Sequence, residues 1–111
     1  MTLPPRITKP KKEKRWRSQA HLNFVRSHHC SKCGAAAPIE AAHVRLGGHG
    51  GMGFKPPDWH CVSLCGPCHR LQHEQGEKTF WEGADIEGLI DAFCHASPKH
   101  REIRTERYGR D

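Results

Sequence analysis

The chain has no long hydrophobic run and is short of acidic residues. Of its 111 residues, 35% are apolar, and 12 aspartates and glutamates stand against 18 lysines and arginines. No apolar stretch approaches the roughly 20 residues that a membrane-spanning helix requires. Residues 1–17 are basic and broken by Pro4, Pro5 and Pro10, so they lack the apolar centre of a signal peptide. A non-membrane, cytoplasmic protein is expected. The length suits one domain, and so little apolar material buries only a small core, which calls for a covalent or metal staple. The shortage of acidic charge leaves a net charge of +6 and a pI of about 9.2. A surface of that sign favours an acidic partner, and nucleic acid is the default one.

What the chain does have is six cysteines and ten histidines. Four of the cysteines fall in two tight pairs, Cys30-Ser31-Lys32-Cys33 and Cys65-Gly66-Pro67-Cys68. Each pair is a turn that aims two thiolates at one point, and two such turns complete the tetrahedral sulfur shell of a structural Zn2+ site. In a reducing compartment, paired cysteines read as metal ligands rather than disulfides. Cys65 to His69 also spells a haem-attachment pattern, but that reading needs export and leaves Cys30 and Cys33 unexplained. Cys61 and Cys94 lie outside the pairs and read as small buried residues.

Three regions follow from composition. Residues 1–17 form a basic arm that cannot bury a core, residues 18–96 carry the zinc-stapled domain, and residues 97–111 form a charged helix or tail with five Lys or Arg. Within the domain, helical spacing of Trp16, Ala20 and Phe24 predicts a short helix after Ser18. A strand is expected over 39–44, then a glycine-rich reversal containing Arg45, His49 and Lys55, then a second strand over 59–64. Pro67 suits the start of the next helix, which carries His69 and His73 one turn apart. Ile86, Leu89, Ile90 and Phe93 mark an amphipathic helix over 85–95, and Ser97-Pro98 reads as the cap and first turn of the final segment.

The combination of two cysteine knuckles, an Ala42-His43 pair between them, a Lys55-Pro56-Pro57-Asp58 segment and His69 directly after the second knuckle resembles the HNH, or ββα-metal, nucleases. It is most similar to small zinc-stapled prophage and phage members, recombination-enhancement nucleases among them. The resemblance covers residues 30–73 and implies an α+β fold, a small ββα-metal (HNH) domain with flanking helices. It implies a metal-dependent DNA endonuclease of little sequence specificity, working in phage or prophage DNA processing or recombination. The setting would be a bacterial or phage-infected cell, with DNA and a recombinase filament as partners.

Carried over by position, His43 is the general base and His60 takes the middle motif position. His69 and His73 bind the catalytic metal. Where many members carry an aspartate or histidine before the base, this chain has Ala42. Either Asp58 or His60 then completes the metal site, or His69 and His73 hold the ion with water and phosphate alone. Imidazole donors suit Mn2+, Ni2+ or Co2+ beside Mg2+. His49 reads as a loop residue. The chemistry is consistent with these roles, because a neutral histidine can take a proton at physiological pH and a cation can offset charge on the leaving 3′ oxygen. The alternative is a non-catalytic zinc-dependent module that binds DNA or serves recombination as an accessory.

Overall fold

The computed structural model describes residues 15–46 and 55–109. Most of the basic arm, His49 and the glycines of the reversal lie outside the described residues. The element order is α1 (Gln19–Arg26), β1 (Ile39–His43), β2 (Cys61–Cys65), α2 (Gly66–Gln75), α3 (Glu77–Phe80), α4 (Ile86–Ala96) and α5 (His100–Tyr108). The architecture is a small α+β arrangement in which a two-stranded sheet sits among helices.

β1 and β2 pair antiparallel, with Ile39 opposite Cys65 and His43 opposite Cys61. Every residue of β2 is buried, because α1, α2 and α4 all pack against it. β1 is covered only in part: Ile39 and Ala42 enter the core while Glu40 stays exposed. The pairing continues past β1, since Val44 N–H donates to the His60 carbonyl at 3.0 Å. Trp59 and His60, expected inside the second strand, instead form the turn that leads into it.

Local sequence sets the helix ends. Ser18 Oγ accepts the His21 N–H at 3.2 Å and caps α1. Pro67 stands in the first turn of α2, where its missing N–H would have no intrahelical partner, and Gly76 closes that helix at φ +84°, a conformation that favours glycine. Asp85 accepts the Gly88 N–H at 3.0 Å, so the amphipathic α4 begins one residue later than the periodicity alone suggests.

Ser97 accepts the Lys99 N–H at 3.1 Å through Oγ ahead of the last helix, whose N-cap position falls on Lys99. Ser97 is buried, holds His21 Nδ1 at 2.8 Å and thereby ties the end of α4 to α1, while α5 starts at His100. Ile103 anchors α5 in the same core as Val62, Leu64 and Ile90, and Arg107 pairs with Asp91 of α4 at 2.6 Å. Cys61 and Cys94 are buried, with their thiols directed at the carbonyls of Asp58 and Trp59.

Candidate functional site

Two turns and a strand bring the four cysteines together. The first knuckle is pinned to β2 by Ser31 N–H donating to the Ser63 carbonyl at 2.8 Å and by paired Ser31 and Ser63 hydroxyls at 2.8 Å. Gly34, at φ +78°, reverses the chain so that its N–H returns to the Cys30 carbonyl at 2.9 Å. Cys65 ends β2 and Cys68 lies in the first turn of α2. The Sγ atoms of Cys30, Cys33, Cys65 and Cys68 all lie within 4.8 Å of one another, and all four thiols are free.

The charges of these thiols conflict. Burial acts to raise Cys30, but backbone N–H groups of Cys33, Cys65 and Lys32 donate toward its sulfur and bring it down to about 6. The Ala35 N–H favours the Cys33 thiolate, yet the neighbouring Cys30 and Cys65 sulfurs outweigh it and Cys33 rises. Cys68 is pushed up first by burial and then by the other three sulfurs. The Cys30 thiolate forms easily while Cys33 and Cys68 resist, as crowded like charges must. A soft cation among them removes the conflict, so this donor set fits a metal ion such as zinc.

On the other side of the hairpin, His43 ends β1. Its Nε2 lies 2.8 Å from Asp58 Oδ1, and Asp58 is buried. The same carboxylate accepts the Ser18 N–H at 2.8 Å and Arg17 Nη1 at 3.2 Å. Burial pushes Asp58 up, but His43, the Ser18 N–H and Arg17 together hold it below the ordinary carboxylate value. Burial also lowers His43, more than Asp58 raises it, and the Lys55 and Arg17 charges add to the lowering. The pair is therefore a carboxylate and a neutral imidazole at neutral pH. A neutral ring that gives its one N–H to Asp58 through Nε2 carries its lone pair on Nδ1.

His43 lines a cavity of about 470 Å3 together with His69, His73, Arg45, Lys55 and Glu77. The two helical histidines stack with ring centroids 5.0 Å apart. His69 Nδ1 is held by Glu40 Oε1 at 3.0 Å, which leaves Nε2 for another partner. The cavity thus gathers His43, His69 and His73 and excludes two other candidates. Asp58 does not line it, and both its oxygens are occupied by protein donors. His60 is buried, with Nδ1 hydrogen bonded to the Val44 carbonyl, where it joins the two strand ends. Among the described residues, the cysteine cluster alone gathers three or more close metal donors.

Three cavity neighbours escaped the sequence reading. Glu40 orients His69. Glu77 accepts the N–H groups of Arg45 at 2.7 Å and Leu46 at 2.8 Å, fixing the exit from β1. Gln72 is buried and accepts Trp81 Nε1 at 2.7 Å. For Glu40 a faint signal exists, a charge in a short apolar strand; for Glu77 and Gln72 no local pattern marks the role.

The family described as Protein of unknown function (DUF968) matches residues 4–88, a span that takes in both knuckles, the hairpin, α2 and every histidine of the cavity. No curated protein matches the chain, and no solved structure does.

Proposed function

The chain belongs to the DUF968 family, whose description assigns no activity, and we propose that it is a metal-dependent endonuclease hydrolysing DNA phosphodiesters in the manner of the ββα-metal nucleases it resembles. The observation that carries this reading is the cavity in which His43, held through Nε2 by Asp58, meets the His69 and His73 pair beside Arg45 and Lys55.

In this reading, Arg45 and Lys55 draw a phosphate into the cavity. His43 Nδ1 takes a proton from the attacking water as its oxygen bonds to phosphorus, and Asp58 stabilises the imidazolium that forms. The P–O3′ bond breaks and the departing O3′ takes a proton from solvent water, giving 5′-phosphate and 3′-hydroxyl ends. His69 and His73 would hold a divalent ion, Mg2+ or a transition metal such as Mn2+, Ni2+ or Co2+, with Glu40 fixing the His69 ring. When bound, that ion supplies charge stabilisation to the phosphate and the departing oxygen. Zinc on the four cysteines is structural. His60 and Asp58 then act by positioning, His60 through the Val44 carbonyl and Asp58 through His43.

A cleavage assay on supercoiled and single-stranded DNA, with each of these metals added to zinc-loaded protein, tests the proposal. Metal-dependent nicking that disappears in His43→Ala while DNA binding persists is the expected result. One observation favours a second reading: Ala42 precedes His43, and the internal hydrogen bonds of Asp58 and His60 leave a metal only two imidazoles. A non-catalytic zinc-dependent DNA-binding module would bind DNA and cut nothing under any metal.

A further inference from the structure

A second constellation, at the end of α5, takes no part in the histidine cavity. Trp59, in the turn before β2, is buried, and the Arg107 guanidinium lies over its ring with Cζ 4.7 Å from the centroid. The same guanidinium is 5.1 Å from the centroid of the Tyr108 ring. Asp91 fixes Arg107 from α4 at 2.6 Å. The clamped guanidinium thus touches both a buried indole and an exposed phenol ring. Tyr108 is 69% exposed. Most large hydrophobic side chains of the described residues are buried, and Tyr108 is exposed with a cation beside its ring.

The surroundings indicate the chemistry of a ligand for this ring. Arg107 and Tyr108 line two hollows, one of about 320 Å3 shared with Arg15, Pro57, Trp59 and a single acid, Glu106, and one of about 380 Å3 shared with His95, His100 and Arg104. A flat ring amid arginines suits a ligand that alternates flat π surfaces with negative charges, which describes a nucleic-acid strand. The segment 55–59 also joins the two sites: Lys55 and Pro56 line the histidine cavity, and Pro57 and Trp59 line the first hollow. In a duplex each base already stacks on its neighbours, so the open face of Tyr108 selects an unpaired base.

We propose that the Trp59, Arg107 and Tyr108 cluster is a base-stacking platform that holds an unpaired nucleobase of single-stranded DNA next to the histidine cavity. The proposal deepens the nuclease reading by naming the strand type, and rests on that reading for the identity of the adjoining site.

The test uses full-length, metal-loaded protein and fluorescence anisotropy with three probes: an oligothymidylate, the same oligonucleotide with abasic positions, and a duplex of equal length. Tyr108→Ala weakens oligothymidylate binding about tenfold, within the range of base–aromatic stacking, and Tyr108→Phe retains it. Duplex affinity stays within about twofold of wild type, since phosphate contacts supply it. The abasic probe binds wild type about tenfold more weakly than oligothymidylate and loses nothing more in Tyr108→Ala, an effect that a merely structural tyrosine would not produce. Unchanged oligothymidylate binding in Tyr108→Ala overturns the proposal, as does an equal loss for single strand and duplex. A protein that cuts no DNA yet shows this binding pattern sinks the nuclease reading and leaves the platform standing.

Discussion

The cysteine cluster and the histidine cavity draw on the same hairpin and the same helix, yet they are completed to different degrees. In the cluster, all four donors converge within 4.8 Å, and backbone N–H groups already favour one thiolate. In the cavity, Nε2 of His43 and Nδ1 of His69 are held by Asp58 and Glu40, and among the described residues no hydrogen bond engages the second ring nitrogen of either. One set of donors is closed on itself and the other is held open. A closed sulfur shell binds and stabilises, whereas oriented imidazoles around a cavity of about 470 Å3 leave room for a substrate. In the proposed reading, the contrast separates a folding staple from a reaction site.

The largest effect should come from the closed site. Cys30→Ser, or stripping metal with a strong chelator, removes a stabilisation on the order of 10 kcal/mol and should abolish the cooperative thermal transition followed by circular dichroism. A chelated protein that melts as before would mean that the core holds without its staple.

His43→Ala should lower nicking about 10²–10⁴-fold while the melting temperature stays put, the reverse of the cysteine result. If both fall together, the two regions are not functionally distinct. A milder change, Glu40→Gln, should weaken binding of the catalytic metal about 10–100-fold, read from the metal concentration that gives half-maximal nicking. Equal metal requirements for variant and wild type would remove Glu40 from the site.

The smallest effect concerns pH. His43 is depressed below its ordinary value of 6.5, so its base form is complete at neutral pH and is lost only as pH falls through that lowered value. Nicking should therefore be level through neutrality and decline on the acid side below about 6.5. Lys55 contributes to the depression, so Lys55→Gln should shift the acid limb toward higher pH. A limb that stays in place, or moves the other way, would show that another group controls the rate.

The parts that could be read from sequence are those whose signal is local. The two C-x-x-C turns announce the cluster, the Ile86, Leu89, Ile90 and Phe93 spacing announces α4, and His69 with His73 needs only a helix to share a face. The carboxylate partners are hidden because they act across the chain: Asp58 reaches Arg17 over 41 residues and Glu77 reaches Arg45 over 32. Asp58 and His60 are candidates because Ala42 leaves a metal ligand to be supplied, but position in a motif cannot tell whether a side chain lines a cavity or supports a neighbour. Ser97 is legible as the residue ahead of the last helix, where its Oγ accepts the Lys99 N–H at 3.1 Å, but its buried bond to His21 is a second role set by the packing of α1 on α4.

The network around Asp58 has one more consequence. Ser18 N–H and Arg17 are both bound to this carboxylate, and Arg17 Nη1 also donates to the Pro56 carbonyl at 2.6 Å. One carboxylate thus ties the entry to α1, the segment before β2 and the His43 ring to one another, so a shift of any one of the three is passed to the other two.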